Sequence, residues 1–307
     1  MFRGQFVSSL LDYAKQDPTI HIITADLGFT LFDKFRESCP EQFMNIGVAE
    51  ANMVSVAAGM SLAGANVFVY SMVPFVTSRA MDQIRVDVSG HNSRVKIVGV
   101  GAGVGYGMEG LTHFALEDIG LMRAFPNMTV VCPADISELR VLLPHIINSK
   151  TPVYLRLVKG KADDIYTKPL TNISLGRAIE VRAGKKQAIL SYGSALKTAV
   201  LAADILEREN QTKVGVYSFP TLKPIDRECI QSLIQNYECL FTVEEHSVIG
   251  GLGTIISEAL LEMNFKGTLR KIAFPDKFPE VMGHGEYLCK WAGVTSEKVV
   301  ATMREHL

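Results

Sequence analysis

The sequence predicts an α/β fold in which two doubly wound domains with mostly parallel sheets follow each other along the chain. Short apolar segments rich in β-branched residues alternate with helical segments, which is typical of parallel sheets covered on both faces. One polar segment interrupts this alternation near the middle of the chain. The 307 residues suffice for two domains of about 150 residues each.

In the first half, apolar runs and helical periodicity define the expected elements. Strands are expected at 20–24, 66–70, 95–100, 129–132 and 153–156, and helices at 2–15, 50–63, 75–87, 114–124 and 136–147. Asp135 precedes the last of these helices and is expected to cap it.

Residues 158–175 are polar and have no clear period, which predicts an interdomain linker. We place the first domain at 1–160, the linker at 161–176 and the second domain at 177–307. Alternation then resumes, with strands expected near 187–191, 213–217, 238–243 and 270–274, and helices at 193–208, 224–236, 250–263 and 294–306.

Composition and charge exclude several classes of function. The net charge of −1 and the pI near 6.7 argue against nucleic acid as a partner. No apolar run is long enough to span a bilayer, and the N-terminus does not resemble a signal peptide. Five scattered cysteines without a CxxC pair predict free thiols in the cytoplasm and no metal site.

Glu50 stands alone at the start of a helix of apolar and small residues. A carboxylate in such surroundings is costly to bury unless a polar group meets it. Alternatively, a glutamate in the first helical turn complements the helix dipole and faces water. The small residues would let a second backbone approach, so we expect this helix to be buried on more than one side.

The stretch from Ile46 to Gly64 resembles the pyrimidine-binding motif of the transketolase family, whose members use thiamine diphosphate. The resemblance implies that Glu50 is catalytic and hydrogen-bonds N1′ of the cofactor's aminopyrimidine. It covers the whole chain, as a pyrimidine-binding domain followed by a transketolase C-terminal domain, for which it implies mainly dimer packing.

The segment Phe75–Arg85 resembles the family helix whose aromatic residues pack on the pyrimidine. Counted from Glu50, those positions fall on Val73 and Val76, which leaves Phe75 as the nearest ring. We take these three residues and Arg79 as expected cofactor contacts. Phe75 could equally be an ordinary core aromatic.

The glycine-rich segment Gly103–Asp118 resembles the family loop that lies over the active site. The resemblance implies that Glu109 contacts a sugar hydroxyl and that His113 approaches the reacting carbon. A single histidine in a loop is otherwise more often a surface residue. Position 101, where some transketolases carry another substrate-contacting histidine, is glycine in this chain.

Three further residues are expected to contact the substrate by resemblance. Asp26 corresponds to an aspartate near the substrate channel, and Arg156 and Lys159 to residues that hold the terminal phosphate. The alternative for Arg156 and Lys159 is a solvated pair at a strand end.

The family binds the cofactor diphosphate through Mg²⁺ held by a Gly-Asp-Gly sequence and a later Asn, and this chain contains no Gly-Asp-Gly. The resemblance therefore implies an N-terminal partner subunit that supplies the metal ligands, an α2β2 assembly and an inactive isolated chain. The expected reaction transfers a two-carbon ketol unit from a ketose, expected to be phosphorylated, to an aldose.

Three alternatives remain. Two are thiamine enzymes: the β subunit of a 2-oxoacid dehydrogenase, and a deoxyxylulose-phosphate synthase-like enzyme. The third is a non-catalytic scaffold subunit, which the valines at 73 and 76 and the glycine at 101 would suit.

Overall fold

The structure is a computed structural model that describes residues 2–160, 164–210 and 213–306. Residues 161–163 of the predicted linker and the terminal residues 1 and 307 of the predicted domains lie outside the described part of the chain. The helices are α1 (Phe2–Ala14), α2 (Asp33–Ser38), α3 (Glu50–Leu62), α4 (Val73–Val76), α5 (Met81–Gln83), α6 (Asp118–Ala124), α7 (Ile136–Asn148), α8 (Ala195–Asn210), α9 (Arg227–Asn236), α10 (Leu252–Glu262), α11 (Gly285–Ala292) and α12 (Ser296–Arg304). The strands are β1 (Ile20–Thr24), β2 (Phe43–Asn45), β3 (Asn66–Met72), β4 (Val95–Val100), β5 (Thr129–Val131), β6 (Val153–Leu157), β7 (Ile179–Arg182), β8 (Lys186–Ser191), β9 (Gly215–Ser218), β10 (Thr221–Lys223), β11 (Tyr237–Ser247) and β12 (Thr268–Phe274).

The predicted fold class is confirmed, since the described residues form two mostly parallel sheets covered by helices. The first sheet has the strand order β10-β5-β6-β4-β3-β1-β2, and all of its pairings are parallel except that of β10 with β5. Its central strands β3, β4 and β6 are buried almost throughout, as their apolar sequences require.

The second sheet has the order β12-β11-β8-β9-β7, with β7 antiparallel at one edge. The described part of the predicted linker, 164–176, contains neither a helix nor a strand. The two halves of the chain are nevertheless interleaved, because β10 comes from the second half and completes the first sheet.

Capping residues define two helix starts. The Asp135 carboxylate accepts a hydrogen bond from the backbone N–H of Glu138, which confirms its predicted role at the start of α7. In the second half, Asp226 caps α9 in the same way.

Two predicted helices differ from the observed ones. The segment 75–87 is not one helix, because it is divided into α4, a turn, α5 and a π-helical turn at Ile84–Gly90. The helix expected at 114–124 begins only at Asp118, because Ala115 forms an isolated antiparallel bridge with Gly103.

Helix α3 buries one face in this chain. Met53, Val54, Ala57 and Ala58 are buried, whereas Leu62 is exposed. The expectation that the helix is buried on more than one side is therefore wrong for the single chain. None of the described helices has the length and apolar character needed to cross a membrane.

Candidate active site

The carboxyl ends of β1, β3, β4 and β6 meet at one edge of the first sheet, because these strands are parallel neighbours. Ligands of open α/β sheets bind at this edge. The segments that follow these strands carry most of the predicted site residues: Asp26 after β1, Val73–Arg79 after β3, the loop 101–116 after β4 and Lys159 after β6.

Glu50 is buried and ion-paired. Its carboxylate is only 2% exposed and accepts a hydrogen bond from Arg79, with 2.8 Å between Oε2 and the arginine nitrogen. The Arg79 side chain is 47% exposed. Glu50 is therefore not the water-facing residue of the alternative interpretation. A polar group meets it, and that group has room to move.

The break in the predicted helix gives this segment its shape. The Thr77 hydroxyl donates to the carbonyl of Val73, and the Arg79 N–H reaches the carbonyl of Pro74 at 3.3 Å. The turn brings the Arg79 guanidinium to 4.3 Å from the centroid of the Phe75 ring, a cation–π contact. Phe75 is only partly buried, so it is not an ordinary core aromatic.

Val73 and Val76 are fully buried within this chain. Neither side chain has surface left for a ligand, which contradicts their expected contact with the cofactor ring. The physical reason is that Val76 packs into the main core and Val73 packs against β4 at Gly99. They support the segment that carries Phe75.

His113 lies beside Phe75, with 5.1 Å between the ring centroids in an edge-on arrangement. Its Nδ1 is 2.8 Å from the Thr112 hydroxyl. Two short 3₁₀ turns form this part of the loop, and Gly110 joins them with a φ of +75°, which suits glycine.

Tyr106 was not singled out by sequence reasoning, yet it connects His113 to Lys159. The Tyr106 ring centroid is 5.9 Å from that of His113 and 3.9 Å from Lys159 Nζ. The same ring fills the place where a side chain at Gly101 would lie. In the sequence, its position as a large residue between two glycines could have identified it as a site residue.

Glu109 and Lys159 end this row of contacts. Lys159 Nζ is 3.2 Å from Glu109 Oε1, and both side chains are partly exposed. A charged pair of this kind is weak and exchangeable. Both residues therefore remain free to meet a polar ligand.

Asp26 lies at the same sheet edge but outside this row in the described contacts. Its backbone has a φ of +51°, and its carboxylate accepts a hydrogen bond from the Asn45 amide at 3.1 Å. The Asn45 side chain also accepts a hydrogen bond from the Asp26 N–H.

Arg156 does not have the position of a phosphate ligand. It is 1% exposed, and its guanidinium donates to Asp118 at 2.7 Å and to the carbonyls of Ala115 and Glu245. No surface remains at which a phosphate could bind. We therefore replace the predicted role, and the solvated-pair alternative, with a structural one.

Two family models match this chain. The model of the transketolase pyrimidine-binding domain matches residues 3–163, and that of the transketolase C-terminal domain matches residues 176–299. The chain belongs to the transketolase family. The resemblance inferred from the sequence is thereby confirmed.

Individual relatives match over almost their whole length. The chain is 33% identical to a subunit of the apulose-4-phosphate transketolase of Phocaeicola vulgatus, covering 99% of this chain and 96% of the relative. It is 35% identical to a 6-deoxy-6-sulfo-D-fructose transketolase subunit of a Clostridium species, covering 99% and 93%. A solved split-gene transketolase, described as an inactive β4 tetramer, superimposes with a TM-score of 0.88 at 32% identity and covers 99% of this chain and 97% of that one.

Transketolases imply thiamine diphosphate, and the residues present fit one end of it. A buried carboxylate beside a partly exposed aromatic ring suits a nitrogen heterocycle that needs both a hydrogen bond and a stacking surface. The described residues contain no cluster of three His, Cys, Asp or Glu side chains that could hold a metal ion. The fit that these residues show concerns the pyrimidine end.

Proposed function

We propose that this chain is the C-terminal subunit of a split, thiamine diphosphate-dependent transketolase. The assembled enzyme would transfer a two-carbon ketol unit from a phosphorylated ketose to an aldose. One observation carries the proposal: an unbroken row of contacts leads from Glu50 through Arg79, Phe75, His113, Tyr106 and Lys159 to Glu109. An acid, an aromatic ring and polar loop groups thus share one surface.

Each residue has a role in this proposal. Thiamine diphosphate, when bound, supplies the activated carbon that carries the ketol unit. Glu50 holds a proton at N1′, and Phe75 offers its ring to the pyrimidine. Arg79 releases Glu50 Oε2 and remains over Phe75.

The loop residues and two flanking residues would face the sugar. His113 approaches the reacting carbon, Glu109 meets a hydroxyl and Lys159 meets the terminal anionic group, with Asp26 near the substrate channel. The names of two relatives contain a phosphate and a sulfo group, both of which are anionic, and a lysine at this position suits either.

The partner supplies the rest of the site. Relatives of nearly the same length are named as transketolase subunits, and the solved relative is described as an inactive β4 tetramer. We propose that this chain also self-associates, is inactive alone, and forms an α2β2 enzyme with an N-terminal subunit that holds Mg²⁺. The described cysteines are all free thiols, which suits the cytoplasm.

The test is to reconstitute the chain with the product of a neighbouring gene that encodes Gly-Asp-Gly, and to measure ketol transfer between phosphorylated sugars. Glu50→Gln and Glu50→Ala should lower turnover by about 10²–10⁴, the range for a lost acid–base group. Glu297→Gln is the matched control, because Glu297 is also in the first turn of its helix but is exposed. Near-normal turnover of both Glu50 variants would contradict the role.

The same preparation separates the alternatives. Decarboxylation of pyruvate without ketol transfer from ketoses would favour the 2-oxoacid dehydrogenase or the deoxyxylulose-phosphate synthase-like alternative. Titration with thiamine diphosphate and Mg²⁺ should give saturable binding, whereas a scaffold subunit would give none.

A further inference from the structure

The loop 103–116 belongs to the first half of the chain, but three of its apolar side chains are buried in the core of the second half. One hydrophobic cluster contains residues of the loop together with residues of the second sheet and α11: Val104, Phe114, Leu116, Phe241 and Leu288. All of these side chains are at most 4% exposed. The segment that carries Glu109 and His113 is therefore anchored on the second half.

Hydrogen bonds to backbone carbonyl groups join the base of the loop to β11. Arg156 donates to the carbonyl of Ala115 at 2.9 Å and to that of Glu245 at 3.1 Å. The carbonyl of Leu116 accepts a hydrogen bond from the N–H of Ser247 at 2.7 Å. A buried arginine and a backbone bond thus join the two halves at this point.

The Glu245 side chain holds the other end of the loop. Its carboxyl group lies against Gly103, in the space that a Cβ would need. Burial raises the pKa of this carboxyl group, and the neighbouring Ser194 hydroxyl and Val104 N–H act against that rise. Burial of a carboxyl group is unfavourable by itself, so these two polar neighbours are what favour this position.

The tip of the loop contacts a third segment of the second half. A Cβ at Gly107 would overlap the carbonyl oxygen of Gly283 and come within 2.6 Å of Leu288 Cδ1. A Cβ at Gly110 would lie 3.1 Å from Met282 Sδ. The loop therefore follows the shape of residues 282–288 closely.

We propose that the second half of the chain positions the substrate loop, with Glu245 and Leu288 as positioning residues for Glu109 and His113. The catalytic consequence rests on the proposed function, whereas the anchoring itself does not. A displacement of about 1 Å at a substrate-contacting group lowers the rate about 10²-fold. A domain expected to serve mainly dimer packing thus acts on the sugar through the loop.

Hydrogen exchange of the chain alone tests the anchoring without any activity. Leu288→Ala removes the core contact, and Gly107→Ala pushes the loop away from Gly283 and Leu288 without removing a core side chain. In both variants the amides of residues 103–116 should exchange about tenfold faster or more, while those of α3 are unchanged.

Leu206→Ala and Gly4→Ala are the matched controls. Leu206 is buried in the same cluster but on α8, and a Cβ at Gly4 would meet nothing within 4 Å. Unchanged exchange of the loop in the Gly107 and Leu288 variants, or equal acceleration in the Leu206 control, would overturn the proposal.

Kinetics of the assembled enzyme tests the consequence. Glu245→Ala should raise the KM for the ketose or lower kcat by about 10–100-fold with an unchanged thiamine diphosphate dissociation constant. Glu245→Gln retains an acceptor oxygen and should restore most of the loss. Faster loop exchange with unchanged kinetics would refute the positioning role, whereas an assembled wild type without ketol transfer would refute the proposed function and leave the exchange result standing.

Discussion

Two arginine–carboxylate pairs in this molecule have almost equal N···O distances but differ in burial. Arg79 and Glu50 are 2.8 Å apart, and Arg156 and Asp118 are 2.7 Å apart. Arg79 is half-exposed and makes one hydrogen bond to its partner. Arg156 and Asp118 are both buried, and Arg156 also donates to two carbonyl groups.

The comparison teaches that distance does not define the role of an ion pair. A pair with one solvated member is worth little and is exchanged easily. A fully buried pair cannot lose one member without leaving a charge in the core. The exchangeable pair lies at the sheet edge where the candidate site is, and the permanent pair lies beneath it.

The largest expected effect comes from breaking the buried pair. Arg156→Ala should lower the free energy of unfolding by about 3–5 kcal/mol, because Asp118 would be left as an unpaired buried charge. Urea unfolding of the chain alone measures it. Arg156→Lys should rescue little, since an ammonium group cannot make the same forked contacts. A loss below about 1 kcal/mol would show that the two pairs do not differ as argued.

A third carboxylate sharpens the comparison, because Glu138 is buried and no cation among the described residues pairs with it. It accepts hydrogen bonds from Ser218, Tyr166 and the N–H of Ala134, and burial raises its pKa to about 7. The folded state therefore holds this proton more tightly than the unfolded state. The resulting stability is complete below about pH 4.5 and is lost as the pH rises to 7.

Unfolding measured across this range should show a fall on the order of 3 kcal/mol that belongs to Glu138. Glu138→Gln should remove this fall. Lys96 does not contribute in this window, because burial lowers its pKa to about 7, so its effect on stability lies above that pH. An identical pH dependence in Glu138→Gln and wild type would contradict the assignment.

The smallest expected effect comes from breaking the exchangeable pair. Arg79→Ala should lower the free energy of unfolding of the isolated chain by about 1–2 kcal/mol, less than Arg156→Ala, because the buried Glu50 loses its partner whereas Arg79 was already half-solvated. The same urea titration measures it, with Arg156→Ala as the reference. A loss as large as that of Arg156→Ala would remove the distinction between the two pairs.

Regular periodicity allowed most of the fold to be predicted, and the errors have local causes. Strands β3, β4 and β6 are continuous apolar runs, so their positions follow from the sequence. Strands β7 and β10 are short edge strands, and nothing in their sequence indicates a partner. Thr77 and Arg79 divide a helix through hydrogen bonds that periodicity does not contain.

The motifs named several residues that the structure brings together, and the errors arose where burial decides the role of a residue. Glu50 and His113 were named from local motifs, and the structure connects them through Arg79 and Phe75. Arg156 was wrongly assigned to the substrate. Its burial depends on contacts with Asp118 and Glu245, which lie far away in sequence and could not be foreseen from it. Val73 was misassigned for the same reason, since it packs against a neighbouring strand.

Strand β10 has a practical consequence for anyone who recombines genes of this family. A protein truncated before Thr221 would leave the edge of β5 unpaired, and such edges promote aggregation. A chimera that exchanges the second half between relatives inherits a foreign strand inside the first sheet. Crossover points for shuffled libraries should therefore be chosen so that Thr129–Val131 and Thr221–Lys223 come from the same parent.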